Sequence, residues 1–167
     1  IGSLVAEMLK PYDLDVLVYD PFLSEEKAKR LNVTCCTLEE LFASCAVVSN
    51  HLANNAATKK VLRYEHFVSM PFYATFINTG RGAQVVEEDL VKALTERPDL
   101  VAVLDVTDPE PSPQDHPFYI LENCFLTPHV AGSLGGEVVR MAEYMVDEYA
   151  CYAAGEACRY EVTLKML

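Results

Sequence analysis

Three short apolar runs in the second half of the chain each break off in a Gly- or Pro-rich turn that carries one ionisable residue. They are TFINTGRG at 75–82, VAVLDVTDPEP at 101–111 and CFLTPHVAGS at 124–133. Apolar runs of this length, bounded by Gly and Pro, read as buried strands of a parallel sheet, which is covered on both faces and shows no polar alternation. In open α/β sheets, ligands bind just beyond the carboxyl ends of such strands. The three turns therefore bring Arg81, Glu110 and His129 to one sheet edge, and a cation, a carboxylate and an imidazole together make a candidate site.

The rest of the chain alternates in the same way. Residues 1–10 read as a helix closed by Pro11, which lacks a backbone donor. VLVYD at 16–20 reads as a strand, and SEEKAKRL at 24–31 as a short helix capped by Ser24. Cys35–Cys36 lie near a brief strand, and Thr37 with Glu40 makes a capping box for LEELFASC. AVVSN at 46–50 is the next strand, and TKKVL and YEHFVSM are expected as helical turns. EEDLVKALTE at 87–96 places Leu90, Val91 and Leu94 on one face, with acidic residues in its first turn where the helix dipole favours them. A longer helix is expected from Gly135 to Ala154, with Val138, Met141, Met145 and Tyr149 at helical spacing. Strands alternating with helices over the whole length predict an α/β fold with a doubly wound parallel sheet.

Composition narrows the partners. At 167 residues, 51% hydrophobic and 23% charged, the chain is expected to form one globular domain with a sizeable core. A net charge of −12 argues against nucleic acid or an anionic membrane surface as the main partner. It leaves room for a small anionic substrate, because one local arginine outweighs a diffuse field at contact distance. No apolar stretch is long enough to span a membrane. The six cysteines show no zinc spacing, so no metal is expected, and they read as buried reduced thiols of a cytoplasmic protein.

Gly2 opens a helix and Asp20 closes the following strand. This matches the back half of a dinucleotide fingerprint, in which the last glycine permits close helix–strand packing and the acidic residue bonds the ribose hydroxyls. Asp20 also fits a plain strand-end turn ahead of Pro21. If it meets a ribose, NAD is favoured over NADP, because a carboxylate repels a 2′-phosphate.

Taken together, INTGRG, LDVTDPEP and LTPHVAGS resemble the D-isomer-specific 2-hydroxyacid dehydrogenases, and the likeness runs in order over nearly all of residues 1–155. It implies the Rossmann-like NAD-binding domain of that family, N-terminally truncated, with 156–167 as a tail returning to a substrate domain. It implies NAD as cofactor, a small 2-keto or 2-hydroxy acid as substrate, and a homodimer. By resemblance Arg81 is the substrate-carboxylate arginine, Glu110 the carboxylate supporting the histidine, and His129 the acid/base. Ile1 and Gly2 correspond to the end of the phosphate loop, and Asp20 to the ribose ligand. Thr79, Gly80 and Arg81 line the cofactor, Asp105 stands near the nicotinamide, and Gly132 is a further cofactor position. HLANNAAT at 51–58 corresponds to the loop over the adenosine side, with Leu52, Ala53 and Thr58 as its contacts. Ala53 replaces the usual proline there and Asn55 the usual threonine. The same resemblance admits NAD-sensing, non-catalytic corepressor-like proteins of this fold. The family's substrate domain and first strand are not in the sequence, so this segment alone is expected to lack turnover.

The residue types suit the chemistry. A planar arginine fork fixes the orientation of a carboxylate as well as neutralising it. An imidazole exchanges protons near neutral pH, and a carboxylate on its other nitrogen fixes the tautomer and favours the imidazolium. Each residue also has a structural alternative: Arg81 as a solvated loop residue, Glu110 as an exposed turn carboxylate, His129 as a cap for the last helix. Their joint order at three strand ends favours the site. Of the other histidines, His51 is placed on the cofactor side, His66 on a helix surface, and His116 in a loop that packs Phe118 inward.

Overall fold

The computed structural model describes residues 1–163, so the last four residues of the expected tail, 164–167, lie outside the described residues. The chain divides into two compact units, Ile1–Pro128 and the segment from His129 onward.

Among the described residues, the first unit carries every strand. In chain order it runs α1 (Gly2–Leu9), β1 (Leu17–Val18), α2 (Glu25–Leu31), β2 (Thr34–Cys35), α3 (Leu38–Ser44), β3 (Val47–Asn50), α4 (Tyr64–Ser69), β4 (Thr75–Asn78), α5 (Glu87–Glu96), β5 (Val101–Leu104) and β6 (Cys124–Leu126). All strand pairings are parallel, as expected for strands joined by helical crossovers. The hydrogen-bonded strands fall into a pair, β1-β2, and a four-stranded sheet in the order β3-β4-β5-β6.

Local chemistry sets the helix ends. The Ser24 side chain accepts the Lys27 N–H at 3.2 Å, and α2 stops where Asn32 turns left-handed at φ 56°. Thr37 and Glu40 form the reciprocal capping box at the start of α3, with bonds of 3.1 and 2.9 Å.

The core lies between the four-stranded sheet and α3, α4 and α5. Phe42, Phe67 and Phe76, each buried, meet as an aromatic cluster, with Phe67 5.2 Å from Phe76 and 5.8 Å from Phe42 between ring centroids. Arg97 ties the far edge. Its guanidinium grips Asp99 at 2.7 and 2.8 Å and donates to the carbonyls of Val68 and Met70. That pairing holds the Asp99 carboxyl down at about 2.

Three expectations change. TKKVL at 58–62 is a turn leading to an isolated parallel bridge between Leu62 and Val85, because Lys60 takes a left-handed φ of 53° that ends any helical turn. His66 is buried rather than on the helix surface. Its ring lies 5.3 Å from Phe42, and Nδ1 accepts the Arg63 N–H at 3.1 Å, so the imidazole closes the start of α4. The strand expected at 16–20 pairs only over Leu17–Val18, leaving Asp20 in the turn beyond it.

The second unit is built on α6 (Gly136–Ala154), which ends in a left-handed Gly155. The Glu148 carboxylate then receives the Arg159 and Tyr160 N–H groups as the chain turns back. No residue of α6 is buried, and Val139, Met141, Met145 and Tyr149 are all exposed.

Truncating the aromatic cluster tests this account of the core. Phe67→Ala is expected to cost about 3–5 kcal/mol of unfolding free energy, read by equilibrium denaturation, and a loss below about 1 kcal/mol would contradict it.

Candidate active site

Parallel pairing aligns the carboxyl ends of the strands. Asn50 pairs with Asn78, Asn78 with Leu104, and Leu104 with Leu126, so the loops that follow leave from one edge. At that edge three amide side chains are buried together. Asn50 Nδ2 donates to Asn78 Oδ1 at 3.0 Å and to Gln84 Oε1 at 2.6 Å. Gln84 Nε2 donates to the carbonyls of Leu52 and Ala53, and Asn50 Oδ1 accepts the Leu52 N–H. Asn78 accepts the Gly80 N–H at 3.1 Å and donates to the Arg81 carbonyl at 3.2 Å. The cluster therefore fixes the backbone on both sides, at 52–53 and at 80–81. A Cβ on Gly80 would stand 3.2 Å from both Asn50 Nδ2 and Gln84 Oε1, so a side chain there would crowd the network.

Arg81 extends from this turn into solvent, its guanidinium resting on the Gly80 carbonyl at 2.7 Å. The next residue joins it to the loop after β5. A Cβ on Gly82 would fall 2.1 Å from the Thr107 carbonyl carbon and 2.6 Å from the Asp108 nitrogen, so only glycine permits this backbone approach. The loop continues through Pro109 to an exposed Glu110, with the Thr107 hydroxyl donating to the Pro109 carbonyl at 3.0 Å. Beneath it lies Glu87, whose Oε1 accepts the Asp108 N–H at 2.8 Å. Burial pushes the Glu87 carboxyl up to about 7. The Asp108 N–H opposes that shift, and the Asp108 and Glu88 charges add to it.

The expected cofactor positions divide into groups. Gly2 opens α1 beside His51, where a Cβ would stand 3.4 Å from the His51 Cβ, an ordinary van der Waals contact. Burial pushes the His51 imidazole down. Asp20 is exposed, its Oδ1 accepting the Phe22 N–H at 2.9 Å. It lines a cleft of about 920 Å³ together with Cys36, Ala57, Lys59 and Arg63. In the 51–58 loop, Thr58 donates to the Ala53 carbonyl while Asn55 turns its side chain onto the Ala57 and Thr58 N–H groups. Asp105 is buried at the end of β5 and accepts the Thr127 hydroxyl from the end of β6. Thr79 sits half-buried beside Gly80. His129, at a left-handed φ of 53°, and the exposed Gly132 belong to the second unit.

Residues 1–131 match the family described as "D-isomer specific 2-hydroxyacid dehydrogenase, NAD binding domain". The chain belongs to that family. It is the family's NAD-binding domain, and the exposed carboxylate beyond β1 has the acceptor chemistry that ribose hydroxyls of such a cofactor need. Among curated relatives it is similar to a glyoxylate reductase of Korarchaeum cryptofilum, 35% identical over 93% of this chain and 47% of that protein. It is also similar to a D-3-phosphoglycerate dehydrogenase of Archaeoglobus fulgidus, 30% identical over 98% of this chain and 31% of that one. The chain thus spans less than half the length of either. Among solved structures, a Thermus thermophilus protein superposes with a TM-score of 0.82 at 34% identity, over 98% of this chain and 50% of that one.

The residues that hold this dehydrogenase domain's loops are largely ones that sequence reading passes over: Asn50, Asn78, Gly82, Gln84 and Glu87. A signal existed for three of them. Asn50 and Asn78 each close an apolar strand, and Gln84 interrupts an apolar run, so each places an amide where a hydrophobic residue would be expected. Gly82→Ala is expected to cost about 1–3 kcal/mol of stability by overpacking, read as a lowered unfolding midpoint. A midpoint equal to wild type would show that the two loops do not meet as described.

Proposed function

We propose that the protein is an NAD-dependent dehydrogenase that reduces a small 2-keto acid to the D-2-hydroxy acid and runs the reverse oxidation. The reading is carried by one observation. In a chain of this family, the turn that carries Arg81 and the loop that carries Glu110 leave neighbouring parallel strands and are locked to each other at Gly82. In the reductive direction, keto acid, NADH and one proton give hydroxy acid and NAD⁺. The nicotinamide supplies the hydride. Arg81 binds the substrate carboxylate through its fork and fixes the plane of the reacting carbonyl. His129 gives its proton to the carbonyl oxygen, and Glu110 favours the imidazolium that does so. Asp20 takes the ribose hydroxyls, and the backbone at Leu52, Ala53, Thr79 and Gly80 lines the cofactor.

All six cysteines are free thiols, although Cys35 is exposed and the other five are half-buried rather than buried, and unpaired thiols suit a reducing, cytoplasmic setting. No helix among the described residues is long and apolar enough to cross a membrane. The exposed apolar residues of α6 support a homodimer, since an exposed stripe of this size is a liability unless covered.

Three measurements on the intact protein test the proposal. NADH oxidation with glyoxylate, pyruvate and hydroxypyruvate should show turnover with at least one of them. NADH binding without turnover on any would leave a cofactor-sensing protein instead. Arg81→Ala should raise KM for the keto acid by about tenfold to a hundredfold, the worth of a charged hydrogen bond, while KM for NADH changes little. Equal increases in both constants would contradict a carboxylate clamp. Light scattering should give twice the mass of one chain, and a monomer at micromolar concentration would remove the dimer.

A further inference from the structure

Glu87 opens α5, where a first-turn carboxylate ordinarily faces solvent and the helix dipole. Here it is only 8% exposed. Its two oxygens reach the two ends of one excursion of the chain. Oε1 accepts the Asp108 N–H at 2.8 Å, and Oε2 lies 3.3 Å from His116 Nε2. Between these anchors the chain passes through Pro109, Glu110 and Pro111, and Glu110 is exposed.

His116 is committed at both ring nitrogens. Nδ1 accepts the Phe118 N–H at 3.3 Å and so caps the short 3-10 turn Pro117–Tyr119. An imidazole that accepts at Nδ1 carries its proton on Nε2, the nitrogen facing Glu87. The ring also packs on the buried Phe118 at 4.4 Å between centroids. A core aromatic, an imidazole and a carboxylate thus form a continuous chain that ends on the amide two residues before Glu110. Gly82 closes the same loop from the other side, through Thr107 and Asp108. Nothing in the proposed reaction uses Glu87 or His116, yet a buried carboxylate is costly unless its bonds are all made.

We propose that Glu87 is a positioning residue, whose two oxygens close the 108–116 excursion and so set where Glu110 stands. The inference rests on Glu110 acting as the carboxylate of the active site. It singles out glutamate at position 87. Glutamine would keep the acceptor for Asp108 but turn an N–H toward the Nε2–H of His116, which opens the second anchor. Aspartate would shorten the reach of both oxygens.

A double-mutant cycle on the intact protein, with NADH and glyoxylate, tests it. Glu87→Gln is expected to lower kcat about tenfold and leave KM for NADH within about twofold. In a Glu110→Gln background the same substitution should change kcat by less than about twofold, because the residue it acts through is already disabled. His116→Asn, which keeps a side-chain oxygen for the Phe118 N–H but loses the reach to Glu87, should repeat the pattern and serves if Glu87→Gln fails to fold. A tenfold loss that persists in the Glu110→Gln background overturns the inference while leaving the role of Glu110 intact. A Glu110→Gln enzyme with wild-type kcat removes Glu110 from the reaction, and this inference with it.

Discussion

The buried amide cluster of Asn50, Asn78 and Gln84 is the constraint on which the site depends. Three uncharged polar side chains sit at 5%, 1% and 0% exposure, where each unmade hydrogen bond would cost on the order of 1–3 kcal/mol. The cluster persists because its bonds are made, and they are made chiefly to backbone. Gln84 donates its amino group to two consecutive carbonyls of the loop after β3, and Asn78 holds the Gly80 N–H and the Arg81 carbonyl. A partly satisfied network would be worse than an apolar core, so the 51–53 loop and the 79–81 turn cannot shift independently. Apolar residues at these positions would pack the strands equally well and leave both loops untied.

Neighbouring loops are then joined in turn across the sheet edge. The amides tie the loop after β3 to that after β4, and Gly82 locks the loop after β4 against that after β5. Asp105 and the Thr127 hydroxyl join the end of β5 to that of β6. Each tie uses backbone or a buried side chain, while Arg81 and Glu110 remain exposed. That division suits a site which must bind from solvent yet hold its groups within a fraction of an ångström: tied backbone carries the positions and exposed side-chain tips make the contacts.

How much of this is legible in the sequence depends on the kind of force involved. The strands at 47–50, 75–78, 101–104 and 124–126 follow from apolar runs cut by Gly and Pro, and α2 and α3 from their caps. The family follows from three turn motifs in order. What fails are positions decided by tertiary contact. Residues 58–62 carry helix-compatible side chains, but two backbone bonds from Leu62 to the Gln84–Val86 segment draw the chain into a bridge instead. His66 carries a polar ring that sequence assigns to solvent, yet one nitrogen bonded at the helix start makes its burial beside Phe42 tolerable. Glu87 looks like an ordinary dipole-stabilising first-turn acid, and only the fold shows a loop above it. In α6 the failure is of another kind: the helical period is right, but period alone does not say what covers the apolar stripe.

Asp20 shows that a structural and a functional reading of one residue need not compete. The structural alternative, a turn carboxylate beyond a strand, holds: Asp20 Oδ1 accepts the Phe22 N–H. A carboxylate offers two oxygens and about four lone-pair directions, so one backbone bond leaves capacity for a pair of ribose hydroxyls. The turn bond also aims the group, and an aimed acceptor loses less entropy on binding than a free one. The cleft around it argues the same way about the cofactor. Its cations Lys59, Lys60 and Arg63 are met by Asp20, Glu39, Glu40 and Glu65 along the same walls. A cleft with more carboxylates than cations suits uncharged hydroxyls better than an additional phosphate dianion. A preference between the two cofactors at this cleft would therefore rest on its whole charge balance and not on Asp20 alone.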